Sequence, residues 1–461
     1  MLLDHIPPMR ALVGLELKQC RLEGRDPGGF TRQIARLEDA SVPDGEKERL
    51  AVELLDSLTS APLMAGYPFV EPEDLPGVLA ARPMPRGLCA VNGLPLTEEA
   101  FFDRVHGAWL GRCAGCLLGQ PVEFWHRERL LGLLRETDNY PIRDYISSDL
   151  PADIREKYGV SDRGWSYGGT RINWINNVAR MPEDDDINYT ILALKLLEGS
   201  GEDFTAEDVA VRWLMDLPAL HTFTAERAAY RNFLCGIPPP ASALHRNPCR
   251  EWIGAQIRGD LYGYIHPGNP QAAAEMAYRD ACVSHTKNGV YGAMFVAAML
   301  SAAATRNAEG IVRCGLGQIP ERCRLAQAVG QVLAWWKAGM DWEQAIARIH
   351  GMYDEKDTFE SLYVVPNAMV VVAALLYGEL SFEKSIGIAV AGSFDKDCNG
   401  ATVGSIVGFA LGASALPAKW TEPLADTVSS GIEGFGLVHI SELALRTVQV
   451  ARKMALTGGA T

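Results

Sequence analysis

Two acidic segments, far apart in the chain, carry the residue types best suited to bind a cation. The first is P-E-D-D-D-I-N at residues 182–188, and the second is S-F-D-K-D-C-N-G at residues 393–400. Neighbouring carboxylates repel one another unless a cation or a proton relieves the repulsion. Oxygen ligands are those that hard divalent cations prefer. Either segment alone could be a solvated acidic helix start. The hypothesis of a metal site therefore rests on the presence of both segments.

Each acidic segment directly precedes a stretch with helical character. Residues 191–198 are apolar at helical spacing without a breaker, and residues 401–412 are small and apolar. The acids therefore stand at helix N-termini, where Asp can cap free N–H groups and face the positive end of the helix dipole. We expect two divalent cations to lie between the two helix starts. Their charge would be offset by five aspartates, Asp184, Asp185, Asp186, Asp395 and Asp397.

Glycine recurs at every fourth position in two predicted helices. The positions are 107, 111, 115 and 119 in the first helix, and 400, 404, 408 and 412 in the second. Because glycine has no Cβ, such a face allows another helix or a ligand to approach closely. The first helix ends at Pro121 and is followed by Glu123. Taken alone, this acid is more often a surface residue than a catalyst.

Composition narrows the function classes. The chain has 461 residues, 48% hydrophobic and 22% charged, which is typical of a globular protein of more than one typical domain. Its net charge of −14 argues against a nucleic-acid partner. No apolar stretch of membrane-spanning length and no signal-peptide pattern is visible. Together with ten scattered cysteines, these features predict a cytoplasmic protein with free thiols and no membrane partner.

The organisation of the chain predicts two parts. Residues 1–95 form a small module of short amphipathic helices followed by a proline-rich and acidic arm, which we expect to serve docking or homo-oligomerisation. Residues 96–461 show repeated helical patterns, no convincing alternating strand and no nucleotide-binding or nucleophile-elbow motif. The predicted class is all-α, with the loops between helices gathering the acids.

Two further segments are candidates for ligand contact. Residues 165–177 are rich in aromatics, glycine and amides, and can either stack on a ring and bind a sugar or form a packed irregular segment. His285 and Lys287 precede a long predicted helix and could meet an anion or a purine. A single histidine is more often structural, so this second candidate needs independent support.

Four motifs, in order, resemble those of the ADP-ribosylglycohydrolase family, which includes the dinitrogenase-reductase-activating glycohydrolases. They are G-A-W-L-G-R-C-A-G-C-L-L-G-Q-P-V-E, D-D-D-I-N-Y-T, S-H-T and D-K-D-C-N-G-A-T-V-G-S, within residues 101–414. The resemblance implies an orthogonal all-α multi-helix bundle with two Mg²⁺ or Mn²⁺ ions in a cleft. It also implies hydrolysis at the anomeric carbon of an ADP-ribosyl or related ribosyl group.

The resemblance also implies roles for individual residues. The predicted metal ligands are Asp184, Asp185, Asp186, Asp395, Asp397 and Cys398, and the predicted catalytic residues are Glu123 and Asp185. The predicted substrate-binding residues are His285, Asn188, Trp165, Tyr167, Lys287 and Asn399. The register of the first cluster is open between Glu183 and Asp184.

This chain departs from the family pattern at four positions. Asp184, Ile187 and Cys398 each replace a threonine, and Cys116 replaces an aspartate. These departures leave the substrate open more than the reaction class. The first alternative is therefore a metal-dependent ribosidase or other glycosidase acting on a small molecule. The second is a non-catalytic binding or structural protein on the same scaffold, as in lens crystallins drawn from this family.

Overall fold

The computed structural model describes residues 7–83, 97–166 and 169–458. The described chain is all-α, as predicted, with two short β-hairpins. The helices that precede the gap at residues 84–96 are α1 (Met9–Leu22), α2 (Thr31–Glu38), α3 (Asp44–Leu58) and α4 (Leu75–Ala80).

The body of the protein begins after this gap. Its α-helices are α5 (Glu98–Gly119), α6 (Arg127–Glu136), α7 (Ala152–Tyr158), α8 (Asp185–Ser200), α9 (Ala206–Asp216), α10 (Thr224–Leu234), α11 (Ala241–Leu244), α12 (Asp260–Tyr264), α13 (Pro270–Ala281), α14 (Lys287–Ala302), α15 (Ala308–Leu316), α16 (Arg324–Lys337), α17 (Trp342–Met352), α18 (Thr358–Leu362), α19 (Val364–Gly378), α20 (Phe382–Gly392), α21 (Lys396–Leu411), α22 (Ala418–Thr421) and α23 (Ile440–Gly458). Short 3₁₀ turns are Pro27–Phe30, Gln120–Val122, Ile175–Asn177, Ala219–His221, Ile253–Arg258, Ala303–Thr305, Ala413–Ala415 and Glu422–Leu424.

The expectation that the chain has no strand is wrong at two places. Antiparallel hairpins are formed by β1 (Arg163–Ser166) with β2 (Gly169–Arg171), and by β3 (Thr427–Ser429) with β4 (Leu437–His439). The first hairpin lies partly inside the segment predicted as a loop. Strands of three or four residues are too short for an alternating pattern to stand out in a sequence.

The centre of the body is an antiparallel pair formed by α5 and α21. Their glycine faces meet: Gly107 lies against Gly408, Gly111 against Gly404, and Gly115 against Gly400. A Cβ at any of these positions would overlap a backbone carbonyl of the opposite helix. The close approach predicted from the glycine spacing is therefore made by the two glycine helices to each other. Their antiparallel direction brings the start of α21 beside the end of α5.

Helix α14 is the most buried long helix of the body. The expectation that no apolar stretch reaches membrane-spanning length is wrong at one place. Among the described residues, the helical stretch Lys287–Thr305 is long and apolar enough to cross a membrane, but 94% of its apolar window is buried inside the protein. It packs against α13, α12 and α15. Its apolar character is thus accounted for by the protein core.

Helices α1 to α3 enclose a small core of their own. Buried Val13, Leu50, Leu54 and Leu55 belong to it, separate from the main core of the body. The predicted boundary at residue 95 lies outside the described residues, and the division into 1–95 and 96–461 stays a prediction.

The cysteines only partly match the expectation of free thiols. Free thiols are found at Cys20, Cys113, Cys116, Cys235, Cys249, Cys282, Cys323 and Cys398. The expectation is wrong for Cys314, which is disulfide-bonded.

Candidate metal centre

The first acidic segment starts α8, and in the structure Asp184 rather than Glu183 faces the other acids. Asp184 is the N-cap, and its Oδ1 accepts a hydrogen bond from the backbone N–H of Asp186 at 3.0 Å. Gln120 Nε2 donates to Asp184 Oδ2 at 2.8 Å. Glu183 instead contacts His221 Nδ1 through Oε1, at 2.6 Å. Asp184, and not Glu183, therefore belongs to the cluster.

The second acidic segment starts α21. Asp395 is the N-cap, and Asp397 lies in the first turn. The backbone N–H of Asp395 donates to Asn367 Oδ1 at 3.0 Å, and Asn399 Nδ2 donates to the same oxygen at 2.9 Å. The Asn367 side chain therefore fixes the backbone from which both carboxylates project.

The α5–α21 pair brings the two acidic helix starts together. One oxygen or sulfur atom from each of Cys116, Asp184, Asp186 and Asp397 lies within 4.8 Å of the others. The same holds for Asp395, Asp397 and Cys398. Asp397 is common to both groups, so it can bridge two neighbouring cation positions. All of these side chains are buried.

The chemistry of this donor set fits a divalent cation. Among the described residues, Asp186 Oδ2, Asp395 Oδ1 and Asp397 Oδ1 are buried without a hydrogen-bond partner. Buried carboxylates in that condition are costly unless a cation or proton compensates them. Burial and then the Asp397 charge raise the pKa of Asp184 well above its usual range. Burial raises the pKa of Asp395 to about 6. Without a cation, these carboxyls therefore hold their protons to a higher pH than ordinary carboxyls do.

The positively charged guanidinium of Arg112 lies against the cluster. Arg112 Nη2 contacts Asp186 Oδ1 at 3.0 Å, and its Nη1 contacts Asp260 Oδ1 at 2.9 Å. Arg112 Nε and Nη2 also donate to the backbone oxygen of Asp186, at 2.9 and 2.7 Å. The guanidinium therefore orients Asp186 and holds the first turn of α8 against α5. This role was not predicted from the sequence, although an arginine among the regularly spaced glycines of α5 was a usable signal.

Glu123 lies in the turn that follows α5 and is half-buried. Burial, and then the charges of Asp397 and Asp395, raise its pKa well above the usual range of a carboxyl. The buried Lys396 ammonium donates to the backbone oxygen of Glu123 at 3.2 Å and also to that of Trp125. Lys396 thus ties this turn to the start of α21. This role also escaped the sequence analysis, since a lysine between two aspartates looks like a surface residue.

The residues predicted to bind substrate have other contacts. His285 is buried, with Nδ1 hydrogen bonded to Ser284 Oγ at 2.8 Å. Lys287 Nζ contacts Glu23, the residue that follows α1, at 2.5 Å. Asn188 is held by Glu183, Ser430 and Gly431, and Asn399 by Asn367 and Ser393. Only the backbone of Trp165 is described, and Tyr167 lies outside the described residues. These surroundings lend no support to a substrate role, which stays a prediction.

Comparison with known proteins identifies the family. The family model for ADP-ribosylglycohydrolase matches residues 97–454. The chain belongs to the ADP-ribosylglycohydrolase family. A solved structure of an ADP-ribosylglycohydrolase-related protein complex is similar over 77% of this chain and 99% of that chain, with 18% identity and a TM-score of 0.42. No curated protein sequence matches the chain.

Family membership confirms the resemblance predicted from the four motifs, and the match covers the whole body of the protein. Residues 7–83 precede the matched region. Helices α1 to α3 have their separate core, whereas Val78 belongs to the main core of the body. Three positions at which the sequence was expected to depart from the family motifs, Asp184, Cys116 and Cys398, all lie in the candidate metal centre.

Proposed function

We propose that the protein is a metal-dependent hydrolase that cleaves the glycosidic bond at the anomeric carbon of an ADP-ribosyl or related ribosyl group. The observation that supports this most is the convergence of two acidic helix starts into one buried cluster. In that cluster, three carboxylate oxygens have no partner among the described residues. A chain that used this scaffold only for structure would have no reason to keep so costly a cluster.

The cations would be held by the residues of the cluster. Asp184, Asp186 and Asp397 face one position, and Asp395 and Asp397 face the other. Asp185, half-buried in the first turn of α8, completes the predicted ligand set. Two divalent cations, Mg²⁺ or Mn²⁺ by analogy with the family, would supply Lewis acidity toward the ribose hydroxyls and a water molecule.

Glu123 is our candidate for the general base. Cleavage of a ribosyl bond passes through an oxocarbenium-like transition state, and water attacks the anomeric carbon. A carboxylate beside the cluster accepts the proton of that water. The hydrogen bond from Lys396 to the backbone of Glu123 fixes the turn that carries this carboxylate. The aspartates, by their negative charge, also favour the developing positive charge on the ribose.

A substrate panel tests the proposal. ADP-ribosylated arginine and serine peptides, an ADP-ribose ester, free nucleosides and simple ribosides are each incubated with Mg²⁺, Mn²⁺ or EDTA. We expect release of a free ribosyl product from at least one substrate, only when a divalent cation is present. Asp397→Asn should remove both cation binding and turnover. Failure of every ribosyl compound to react with protein that binds cations would refute the proposal.

One observation favours a second candidate, a ribosidase acting on a small molecule. Cys116 and Cys398, expected to replace an aspartate and a threonine of the family pattern, each lie within a group of possible ligand atoms. Turnover of nucleosides or simple ribosides, with none of ADP-ribosylated peptides, would select this candidate. We propose in either case a ribosylated substrate, a cytoplasmic location and no nucleic-acid or membrane partner.

A further inference from the structure

Two thiols lie in the candidate metal centre, one in each group of ligand atoms. Cys116 Sγ lies within 4.8 Å of ligand oxygens of Asp184, Asp186 and Asp397. Cys398 Sγ lies equally close to those of Asp395 and Asp397. The two thiols come from α5 and α21, the helices joined by the glycine faces. Both are buried free thiols.

The position of these thiols matters because sulfur changes the metal that a site prefers. Oxygen-only sites suit Mg²⁺, whereas thiolate ligands favour softer cations such as Zn²⁺. For a divalent cation in an N, O or S site, affinity rises along the first transition row toward Cu²⁺ and stays high at Zn²⁺. The same cluster with Asp and Thr at the two cysteine positions would offer oxygen ligands only.

We infer that this centre is a mixed carboxylate–thiolate site that binds a thiophilic divalent cation of the Zn²⁺ class more tightly than Mg²⁺, with Cys116 and Cys398 as sulfur ligands. The inference rests on the proposed function only in placing cations at the same centre. On binding, each S–H bond breaks, the proton passes to solvent, and the sulfur lone pair forms the bond to the cation. No oxidant or reductant takes part.

Two independent features of the site support a ligand role over simple packing. Asp186 Oδ2, Asp395 Oδ1 and Asp397 Oδ1 are buried without a hydrogen-bond partner among the described residues, and both thiols lie among these carboxylates. Cys113, one turn earlier on α5, is also buried but belongs to neither group of ligand atoms. It shows what a packing cysteine on this helix looks like and serves as the matched control.

The experiment uses the full-length protein carrying Cys235→Ser, since Cys235 is exposed and could bind metal at the surface. The protein is stripped with a chelator and titrated with Co²⁺. A thiolate bound to Co²⁺ produces a charge-transfer band in the near ultraviolet, which an oxygen-only site does not. We expect this band in the parent protein and in Cys113→Ser. It should weaken in Cys116→Ser and in Cys398→Ser, and disappear in the double variant.

Calorimetry gives a second readout that is independent of activity. We expect Zn²⁺ to bind the parent more tightly than Mg²⁺. Cys116→Ser should weaken Zn²⁺ binding by about 10–100-fold or more, because losing a residue that merely orients a metal ligand already costs that much. Cys398→Thr and Cys116→Asp should reduce the difference between the affinities for Zn²⁺ and Mg²⁺. Retained Mg²⁺ binding shows that each variant is folded.

The outcomes separate this inference from the proposed function. Co²⁺ bound without the band, a band unchanged in the double variant, or no Co²⁺ binding at all would overturn the inference. Mg²⁺-dependent ribosyl hydrolysis by a protein that shows no charge-transfer band would support the proposed function and contradict the inference that the thiols are ligands. A band that depends on both cysteines, in a protein that hydrolyses no ribosyl compound, would support the thiol ligands and contradict the proposed function.

Discussion

Glu183 and Asp184 are neighbours in sequence but face different surroundings. Glu183 contacts His221 at 2.6 Å, and this contact raises the pKa of His221. Asp184 caps α8 and faces the cluster. The reason is local: an N-cap side chain turns back over the first turn of its helix. Mutations at these two positions are therefore expected to differ, with Asp184→Asn lowering cation affinity and Glu183→Gln leaving it nearly unchanged.

The first prediction concerns Glu123. Glu123→Gln keeps the size and shape of the side chain and removes only its ability to accept a proton. Turnover should fall by roughly 10²–10⁴-fold, the usual size of a general acid–base contribution, while cation affinity measured by calorimetry changes little. Glu128→Gln, at an exposed acid on the next helix, is the matched control. Near-normal turnover of Glu123→Gln under saturating cation would move the base to Asp184, Asp185 or Asp186.

The second prediction concerns pH in the absence of a cation. Burial in the folded protein raises the pKa of Asp395 to about 6, and burial raises the pKa of Asp397 well above its usual range. A carboxyl with a raised folded-state pKa stabilises the protein at low pH, and this contribution is lost as pH rises from the unfolded value, about 3.9, through the folded value. The melting temperature in EDTA should therefore fall from about pH 4 to about pH 7.

The same measurement carries its own controls. Asp397→Asn removes one of these carboxyls, so its melting temperature in EDTA should fall less steeply over that range. A saturating divalent cation should raise the melting temperature most at the upper end of the range, because it replaces the protons that are lost. A melting temperature in EDTA that rises with pH, with the same slope in Asp397→Asn, would contradict the assignment.

At the scale of elements, the glycine spacing predicted much of the fold. The glycine face on each of two helices predicts that another helix or a ligand packs closely against it. The acids next to each face indicated where a site would form. The sequence could not show that the two faces pack against each other, since α5 and α21 are nearly 300 residues apart and either face also fits a ligand. Arg112 and Lys396 escaped prediction for the same reason: their partners, Asp260 and the Glu123 turn, are distant in sequence.

The third prediction concerns the contact between α5 and α21. A Cβ at Gly111 would overlap the backbone of Gly404, which cannot yield as a flexible side chain would. Gly111→Ala should lower the free energy of unfolding by about 1–3 kcal/mol, the usual cost of overpacking, and should weaken cation binding by shifting the start of α21. Gly330→Ala in α16 meets nothing within 4 Å, so it should raise stability by up to about 1 kcal/mol. If Gly111→Ala and Gly330→Ala change the free energy of unfolding in urea equally, the glycine face does not set the distance between α5 and α21.

At the scale of the whole molecule, the N-terminal helices are joined to the body by buried charges. Arg250 contacts Glu16 at 2.8 Å and Glu23 at 2.7 Å, and all three side chains are at most 2% exposed. Arg324 likewise contacts Glu71 at 2.7 Å. The sequence of residues 1–95 predicts only docking or oligomerisation, because partners more than 200 residues apart leave no local pattern. Homo-oligomerisation through this module remains a prediction.

The last prediction compares a buried ion pair with an exposed one in the same interface. Arg250→Met leaves the buried Glu16 carboxylate without its cation, so the free energy of unfolding should fall by about 3–5 kcal/mol. Arg246→Ala breaks an ion pair with Asp56 that also joins the module to the body, but the Asp56 side chain is 41% exposed. This substitution should lower the free energy of unfolding by less than about 1 kcal/mol. Adding Glu16→Gln to Arg250→Met should recover part of the loss, because it removes the uncompensated charge. If Arg250→Met costs no more than Arg246→Ala in urea unfolding, the module is held instead by apolar contacts such as those of Leu15 and Leu22 near Trp252.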